Sequence, residues 1–487
     1  MKIALIRLGS TYADWYKRPP SGIMYLYESL VRANLYTNIF DAYFYQWNDE
    51  LLYHKILEYL PDIIGISSMT HEISRAAILA SKIKKSIGHD LIAIVGGCHV
   101  TALPVETIKE FSSFDYGVIG EGELTIVRLV DALKNKRCVK EIPGIVFRDE
   151  NSEVILNAHN DVLSADLLNQ IPVHTLKHYY GNDLKALKPK NASHTIFSSR
   201  GCPYNCAFCM QVLGRKVRYR SIDSIIDEIK YVMDNYGAHT INFSDEIFLF
   251  NNQRTKDLLN RLIDEGISDK IKWNGQTRAN MVTSEIIKLA KKSGCYRLGM
   301  GVESGNEQIL KRINKKITIS QIYNAVSIIK KANIELGAYF ILGHPGETEK
   351  TVKETCDLAI KLNTNTIAIG LMVPYPGTAI YDMALNNEQG YTLLSKKWTD
   401  YDKYGSNALM IRGIDNHKLN KLQRSTYLKF YIKNFRILDL FMYTWSRRRA
   451  FLYFLKKTKK FSKAKQKRGV LVCLAILTNL KSQNVLS

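Results

Sequence analysis

Strand and helix patterns alternate twice along this chain, and few folds accept that order. In the first run, residues 3–8, 39–45, 63–67, 91–95 and 116–119 read as strands. Residues 22–32, 50–59, 72–86, 105–111 and 123–134 read as the helices between and after them. Five such repeats predict an α/β fold opening with a Rossmann-like parallel sheet. Sheets of that kind take ligands at the carboxyl ends of their strands. Residues 144–157 read as a hairpin turning at 149–151, and residues 158–192 as an irregular polar linker. The alternation then resumes. Strands are expected at 195–199, 240–243, 271–276, 297–301, 336–342 and 366–372, with helices at 222–233, 255–265, 285–292, 318–332 and 351–362. The expected layout is a sheet domain over 1–140, hairpin and linker over 141–192, a second α/β domain over 193–380, and a helical region with a basic tail over 381–487.

The strand ends of the first run carry glycines and small polar residues: Pro19-Pro20-Ser21-Gly22, Gly65 to Thr70, Val95-Gly96-Gly97-Cys98-His99 and Gly120-Glu121-Gly122-Glu123. Glycine there lets backbone approach a ligand closely. Residues 1 to about 140 resemble the cobalamin-binding domain that precedes many radical SAM cores. The resemblance implies cobalamin bound along Ser67, Thr70, Gly96, Gly97, Gly120 and Glu121. Cobalamin domains that ligate cobalt from below use Asp-x-His-x-x-Gly. Here only His417 has an Asp two positions earlier (Asp415), and Asn420 replaces the Gly. The lower cobalt face is therefore expected to lack a histidine ligand.

The most specific motif follows the strand at 195–199. It reads Arg200-Gly201-Cys202-Pro203-Tyr204-Asn205-Cys206-Ala207-Phe208-Cys209, a CxxxCxxC spacing. Three thiolates this close suit an iron–sulfur cluster. A structural zinc site wants four ligands, and the next cysteine is Cys295. Zinc completed by a distant histidine and unrelated buried cysteines are the alternatives. CxxxCxxC with an aromatic before the last cysteine is the signature of the radical SAM superfamily, which this chain resembles. The resemblance implies a [4Fe–4S] cluster on Cys202, Cys206 and Cys209. The open iron would bind S-adenosylmethionine, which one electron cleaves to a 5′-deoxyadenosyl radical. It also implies a partial (β/α)6 TIM-type barrel, with the active site at the C-terminal ends of the strands.

Polar residues at those ends fall in family order. Asp245 and Glu246 follow the second barrel strand, and the resemblance implies that one or the other accepts from the methionyl ammonium. Arg278 follows the third as a carboxylate clamp. Glu303 and Ser304 end the fourth, where the family bonds the ribose hydroxyls. Gly343 ends the fifth, where backbone meets adenine, and Phe208 belongs to the same cofactor site. The other cysteines are scattered, so one cluster is expected. Residues 1–150 hold only Cys98 and Cys138, which disfavours the methylthiotransferases and their second cysteine triad.

Composition constrains the surroundings. The chain has 487 residues, 46% hydrophobic and 23% charged, which excludes a disordered chain, a collagen and a multispan membrane protein. Eight cysteines, no signal peptide and no apolar run long enough to span a bilayer predict a reducing cytoplasm. The formal net charge is +22, and eleven Lys or Arg lie between residues 447 and 468, where there are no acids. Aromatic residues and a short apolar run flank them. That pattern fits an anionic membrane surface on the cytoplasmic side. A solvated tail without a partner is the alternative, and nucleic acid is disfavoured because no stacking platform or RNA-binding motif is present.

The expectation is a cobalamin-dependent radical SAM enzyme that C-methylates an unactivated carbon of a small-molecule or lipid substrate. Its electron would come from a flavodoxin or ferredoxin type donor. The alternative is radical oxidative cyclisation or rearrangement, as in the anaerobic magnesium-protoporphyrin monomethyl ester cyclases of the same architecture. A non-catalytic cobalamin or iron–sulfur sensor would not need the ordered polar residues at the barrel's strand ends.

Overall fold

Strand-forming runs buried on both faces must be covered by helices on both sides, and the N-terminal segment does this. In the computed structural model, which describes residues 1–9, 19–88, 90–157, 163–181, 193–402 and 407–436, β1 (Lys2–Arg7), β2 (Tyr36–Asp41), β3 (Ile63–Ser67), β4 (Ile92–Gly96) and β5 (Tyr116–Val118) pair in parallel. The hairpin β6 (Ile145–Arg148) and β7 (Val154–Leu156) extends the same sheet antiparallel, giving the order β2-β1-β3-β4-β5-β6-β7. Ile3, Ala4, Ile6, Ile63, Ile64, Ala93 and Val95 are fully buried.

Two sequence expectations change here. The second strand stops at Asp41, and residues 42–45 form the helical turn Ala42–Tyr45. Asp41 starts it by accepting the Phe44 amide at 2.9 Å, a local cap that outweighs the strand preference of the aromatics. Residues 158–192 are not wholly irregular either. Their described part forms the short helices Ala165–Leu168 and Val173–Leu176 and a π turn at Lys177–Gly181. Buried Glu28 of the helix Ser21–Arg32 organises this segment, accepting the His174 amide at 3.0 Å and the Thr175 amide at 3.3 Å. Helices of four residues are too short to show a period in sequence.

The second run forms an open six-stranded parallel sheet. Its strands are β8 (Ser193–Ile196), β11 (Thr240–Phe243), β12 (Lys272–Thr277), β13 (Cys295–Glu303), β14 (Glu335–Leu342) and β15 (Thr366–Leu371), neighbours in that order. A helix follows the last strand at Ala379–Leu385, completing six units. The short pair β9 (Ser199–Arg200) and β10 (Arg218–Tyr219) brackets the cysteine motif.

An unclosed barrel leaves an edge strand with unpaired backbone. Here the helix Asn416–Lys433 covers β15: the Ile369 amide donates to the Tyr427 hydroxyl at 2.8 Å, and Gln423 Nε2 donates to the Ile369 carbonyl at 2.7 Å. The hairpin β16 (Tyr391–Leu393) and β17 (Leu409–Ile411) precedes that helix. Trp398, Tyr401 and Ala408, from the hairpin's connection, are buried in one apolar cluster with Ala4, Ile6 and Val95 of the first sheet. The two sheets belong to one unit, residues 1–9 and 17–430. Among the described residues, no helix is long and apolar enough to cross a membrane. The basic run at 447–468 lies outside the described residues.

Candidate active site

The cysteine motif is an excursion between β9 and β10 at the carboxyl end of β8. Gly201 opens it at φ +97°, and a Cβ there would lie 2.5 Å from the Lys216 carbonyl oxygen, so only glycine lets the two arms meet. The Cys202 amide bonds Gly214 O at 3.1 Å, and the Cys209 amide bonds Cys206 O at 3.1 Å. Although Cys209 as a residue is exposed, desolvation of its thiol within the loop and the neighbouring charges of Cys206 and Cys202 push that thiol up to about 11. Burial likewise raises Cys202, with Cys206 adding to it. Among the described residues, no three Cys, His, Asp or Glu side chains close on a point as the ligands of a single ion do.

Arg278, at the end of β12, is 3% exposed. Its Nη1 lies 3.9 Å from Cys206 Sγ, and its guanidinium stacks 3.7 Å from the Tyr204 ring centroid. Its Nε and Nη2 are buried without a hydrogen-bond partner. Two orphaned donors on a planar cation next to a cysteine cage suit a carboxylate, which such a fork binds with both oxygens. The site therefore fits an amino-acid carboxylate anchored beside a cluster.

The acidic pair after β11 divides. Asp245 is buried, and its oxygens accept the Ser198 amide at 3.1 Å, Ser198 Oγ at 2.9 Å and Ser199 Oγ at 2.5 Å. It braces the end of β8: two serine hydroxyls engage Oδ1 and an amide engages Oδ2, a structural role the sequence did not suggest for that residue. Glu246 is exposed and lies within electrostatic reach of Cys202 and Cys209. Glu303 is at φ +69° and accepts Lys315 Nζ at 2.7 Å; both side chains are buried. A Cβ on Gly301 would lie 2.3 Å from Glu303 Oε1, so that glycine makes room for the pair. Phe208 lies between Lys315, 5.7 Å from its ring, and His344, whose ring centroid is 5.9 Å away.

Ser304 and Gly343 are engaged differently from expectation. Ser304 Oγ shares a hydrogen bond with Thr355 Oγ1 at 3.2 Å and accepts the Asn306 amide at 3.2 Å, which builds the turn after β13. The Gly343 amide donates to Glu347 Oε2 at 2.7 Å, and its carbonyl accepts the Tyr391 hydroxyl at 2.8 Å. Burial raises the Glu347 carboxyl to about 7.

On the first sheet, Ser67, Thr70, Gly96, Gly97 and Gly120 do lie at the strand ends. Gly97, at φ +103°, packs so tightly that a Cβ would lie 2.5 Å from Ser68 O. The Gly120 amide donates to Thr101 Oγ1 at 2.9 Å. Glu121 is not open to a cofactor. It accepts Arg200 Nη1 at 2.8 Å and Arg218 Nη1 at 2.6 Å, and Glu123 also accepts Arg200 Nη1, at 2.7 Å. Burial opposes the Glu121 charge, but the two arginines hold its carboxyl below the usual range. This buried network joins the loop after β5 to both arms of the cysteine excursion. Sequence reasoning missed Arg200, Arg218 and Lys315, because their partners carry no local signal. His417 begins the helix Asn416–Lys433, outside the first sheet.

The two ligand edges meet. Gly377, in the loop after β15, would place a Cβ 3.2 Å from Ala102 Cβ and 3.5 Å from Met210 Cγ. Ala102 ends the helix Cys98–Ala102 that follows β4, and Met210 follows Cys209.

Known proteins match both parts of the chain. Residues 196–359 match the radical SAM superfamily and residues 15–130 the B12 binding domain. An uncharacterized methyltransferase of Pyrococcus horikoshii is 32% identical over 421 residues, covering 85% of this chain and 88% of the relative. The anaerobic magnesium-protoporphyrin IX monomethyl ester cyclase of Cereibacter sphaeroides is 26% identical over 437 residues, covering 88% of this chain and 68% of the relative. The solved structure of the radical S-adenosylmethionine methyltransferase TsrM of Kitasatospora setae, with cobalamin and a [4Fe–4S] cluster bound, shares the fold. Its TM-score is 0.68 at 16% identity, over 87% of this chain and 90% of that one.

Proposed function

We propose that this chain, which belongs to the radical SAM enzymes that carry a B12-binding domain, methylates an unactivated carbon of a small-molecule substrate. When bound, the [4Fe–4S] cluster and S-adenosylmethionine supply a 5′-deoxyadenosyl radical, and cobalamin supplies the methyl group.

The chain's own residues would do the following. Cys202, Cys206 and Cys209 hold three corners of the cluster. Arg278 grips the methionyl carboxylate with its two unpartnered N–H groups. Glu246, the open member of the acidic pair, accepts from the ammonium. Glu303, fixed by Lys315, presents its carboxylate to the ribose hydroxyls, and Phe208 flanks the adenosyl group. Glu347 and Tyr391 hold the Gly343 turn in shape. Ser67, Thr70, Gly96, Gly97 and Gly120 form the strand-end shelf for cobalamin.

One observation carries the reading. A Cβ on Gly377 would meet both Ala102, beside the shelf, at 3.2 Å and Met210, beside the third cysteine, at 3.5 Å, so a methyl carrier and a radical source held at these two edges would be neighbours. Methyl transfer is favoured by the 32% identical relative, whose name is that of a methyltransferase. The cyclase relative supports a second reading, oxidative cyclisation of a tetrapyrrole or lipid. The products separate them. Anaerobically reconstituted enzyme that methylates forms both 5′-deoxyadenosine and S-adenosylhomocysteine. A cyclase forms 5′-deoxyadenosine without S-adenosylhomocysteine, and absence of both refutes the site. The tail beyond residue 436 would hold the enzyme at an anionic membrane surface on the cytoplasmic side.

A further inference from the structure

We propose that the outer rim of the cysteine loop is the docking face for an acidic one-electron carrier protein, centred on Asn205 and ringed by Lys216, Lys311 and Lys316. The inference rests on the reading of the loop as a cluster site, and it adds the route by which the electron arrives.

Asn205 is exposed and adjoins Cys206. Two segments clasp it from either side. Arg215 Nη2 donates to Asn205 Oδ1 at 2.6 Å, and Asn314 Nδ2 donates to Asn205 O at 2.7 Å. The Ala207 amide also donates to Ile313 O at 3.0 Å. The cations on these segments therefore surround the outer surface of the loop. Arg215, Lys216, Lys311, Arg312 and Lys316 are all exposed.

Among the described residues, none of these five cations is ion-paired with an acid. Residues 202–220 contain no Asp or Glu, and neither do residues 308–334. The partners found for Arg215 and Arg312 are neutral: Gln211 Oε1 and Asn205 Oδ1 for the first, Pro345 O for the second. Glu307, at the start of the helix carrying Lys311, accepts the Ile319 amide instead. Several surface lysines elsewhere do meet an acid, as in Lys82–Glu50 at 2.7 Å, Lys256–Glu285 at 2.6 Å and Lys418–Glu349 at 2.6 Å. A rim that keeps one sign of charge uncompensated attracts an oppositely charged partner over a distance set by salt.

Electron-transfer encounters are small, weak and steered by charge, so a ring of this size suffices. In the transfer the carrier loses one electron and the centre held by the cysteines gains it; no atom moves. The rim is exposed, whereas Arg278, which would anchor the cofactor carboxylate, is buried.

The test uses the full-length reconstituted protein and an acidic flavodoxin as probe. Binding is titrated at low and high salt for three forms: wild type, a variant carrying Lys216→Glu, Lys311→Glu and Lys316→Glu, and one carrying glutamine at the same positions. The three side chains are exposed, so both variants should fold. Flavodoxin affinity is expected to fall about tenfold or more with glutamate and less with glutamine, and the salt dependence to flatten in both. Cleavage of S-adenosylmethionine driven by dithionite should stay at the wild-type rate. Equal flavodoxin affinity in all three forms overturns the proposal. So does a loss of binding to anionic vesicles or RNA with flavodoxin binding intact, and so does a loss of dithionite-driven cleavage in the variants. If wild type shows no dithionite-driven cleavage, the catalytic reading fails, while the titration still decides the docking face.

Discussion

Arg278 concentrates the chemistry of the site in one side chain. It is a buried cation with two unused N–H groups beside a cysteine. A hydrogen bond to a charged group contributes about 1.5–3 kcal/mol. Arg278→Ala should therefore weaken S-adenosylmethionine binding about 10- to 100-fold, measured by equilibrium dialysis, while the visible spectrum of the reconstituted cluster stays intact. Glu347 makes a different prediction. Burial raises its carboxyl from 4.5 to about 7, so the folded protein holds a proton that the unfolded chain releases. Stability should then fall as pH rises through that window, by on the order of 2–3 kcal/mol. Glu347→Gln can still accept the Gly343 and His344 amides. It should show a flatter thermal midpoint between pH 5 and pH 8 (about the titration window); a wild-type profile in the variant would refute the protonated carboxyl. Individual roles were unevenly legible in sequence. The cysteines fall within eight positions and announce themselves. Asp245 did not, because the serines that occupy it lie 46 and 47 positions away. Glu121 did not, because Arg218 is 97 positions away.

Strands and helices were read far better than single roles, since period-2 and period-3.6 patterns are local. β11 and the helix Glu123–Lys134 fall where the pattern placed them. The aromatics after Asp41 extend the strand pattern past the turn that Asp41 caps. What no periodicity could reveal is how the β9–β10 pair is tied to the first sheet. Arg200 and Arg218 grip Glu121 with side chains 6–12% exposed, and Glu123 completes the group. Removing one partner from a buried pair leaves an uncompensated charge and costs about 3–5 kcal/mol. Glu121→Gln should lower unfolding free energy by about that amount in denaturant titrations. It should also loosen the cysteine loop enough to slow cluster uptake during reconstitution. Unchanged stability together with weakened cobalamin binding would instead return Glu121 to the cofactor shelf. The edge strand β15 gives the parallel lesson. Its covering groups, Gln423 and Tyr427, sit in a helix that the sequence marked only as helical and aromatic.

The formal charge of the whole chain is unevenly spread. Eleven Lys and Arg between residues 447 and 468 leave +11 for the other 465 residues. Within the catalytic unit that smaller excess has a local use around Asn205, where cations stand without acids. The tail poses a separate question, because its charges lie far along the chain from the rim and would meet a different partner. A basic residue close to an anionic leaflet contributes about 1 kcal/mol, and the contribution fades within a Debye length. Engagement of even three of the eleven would strengthen binding by about two orders of magnitude. A chain truncated after Ser446 should therefore lose at least about a hundredfold in affinity for phosphatidylserine vesicles at low salt. The full chain should lose most of its own affinity at high salt, while neutral vesicles bind neither form. The truncation should leave dithionite-driven cleavage of S-adenosylmethionine unchanged, since the cysteine loop, Arg278 and Glu303 all precede the cut. It should also leave flavodoxin affinity unchanged, because Lys216, Lys311 and Lys316 precede it too. Equal vesicle binding by both forms would remove the membrane from the account and leave the tail as a solvated segment.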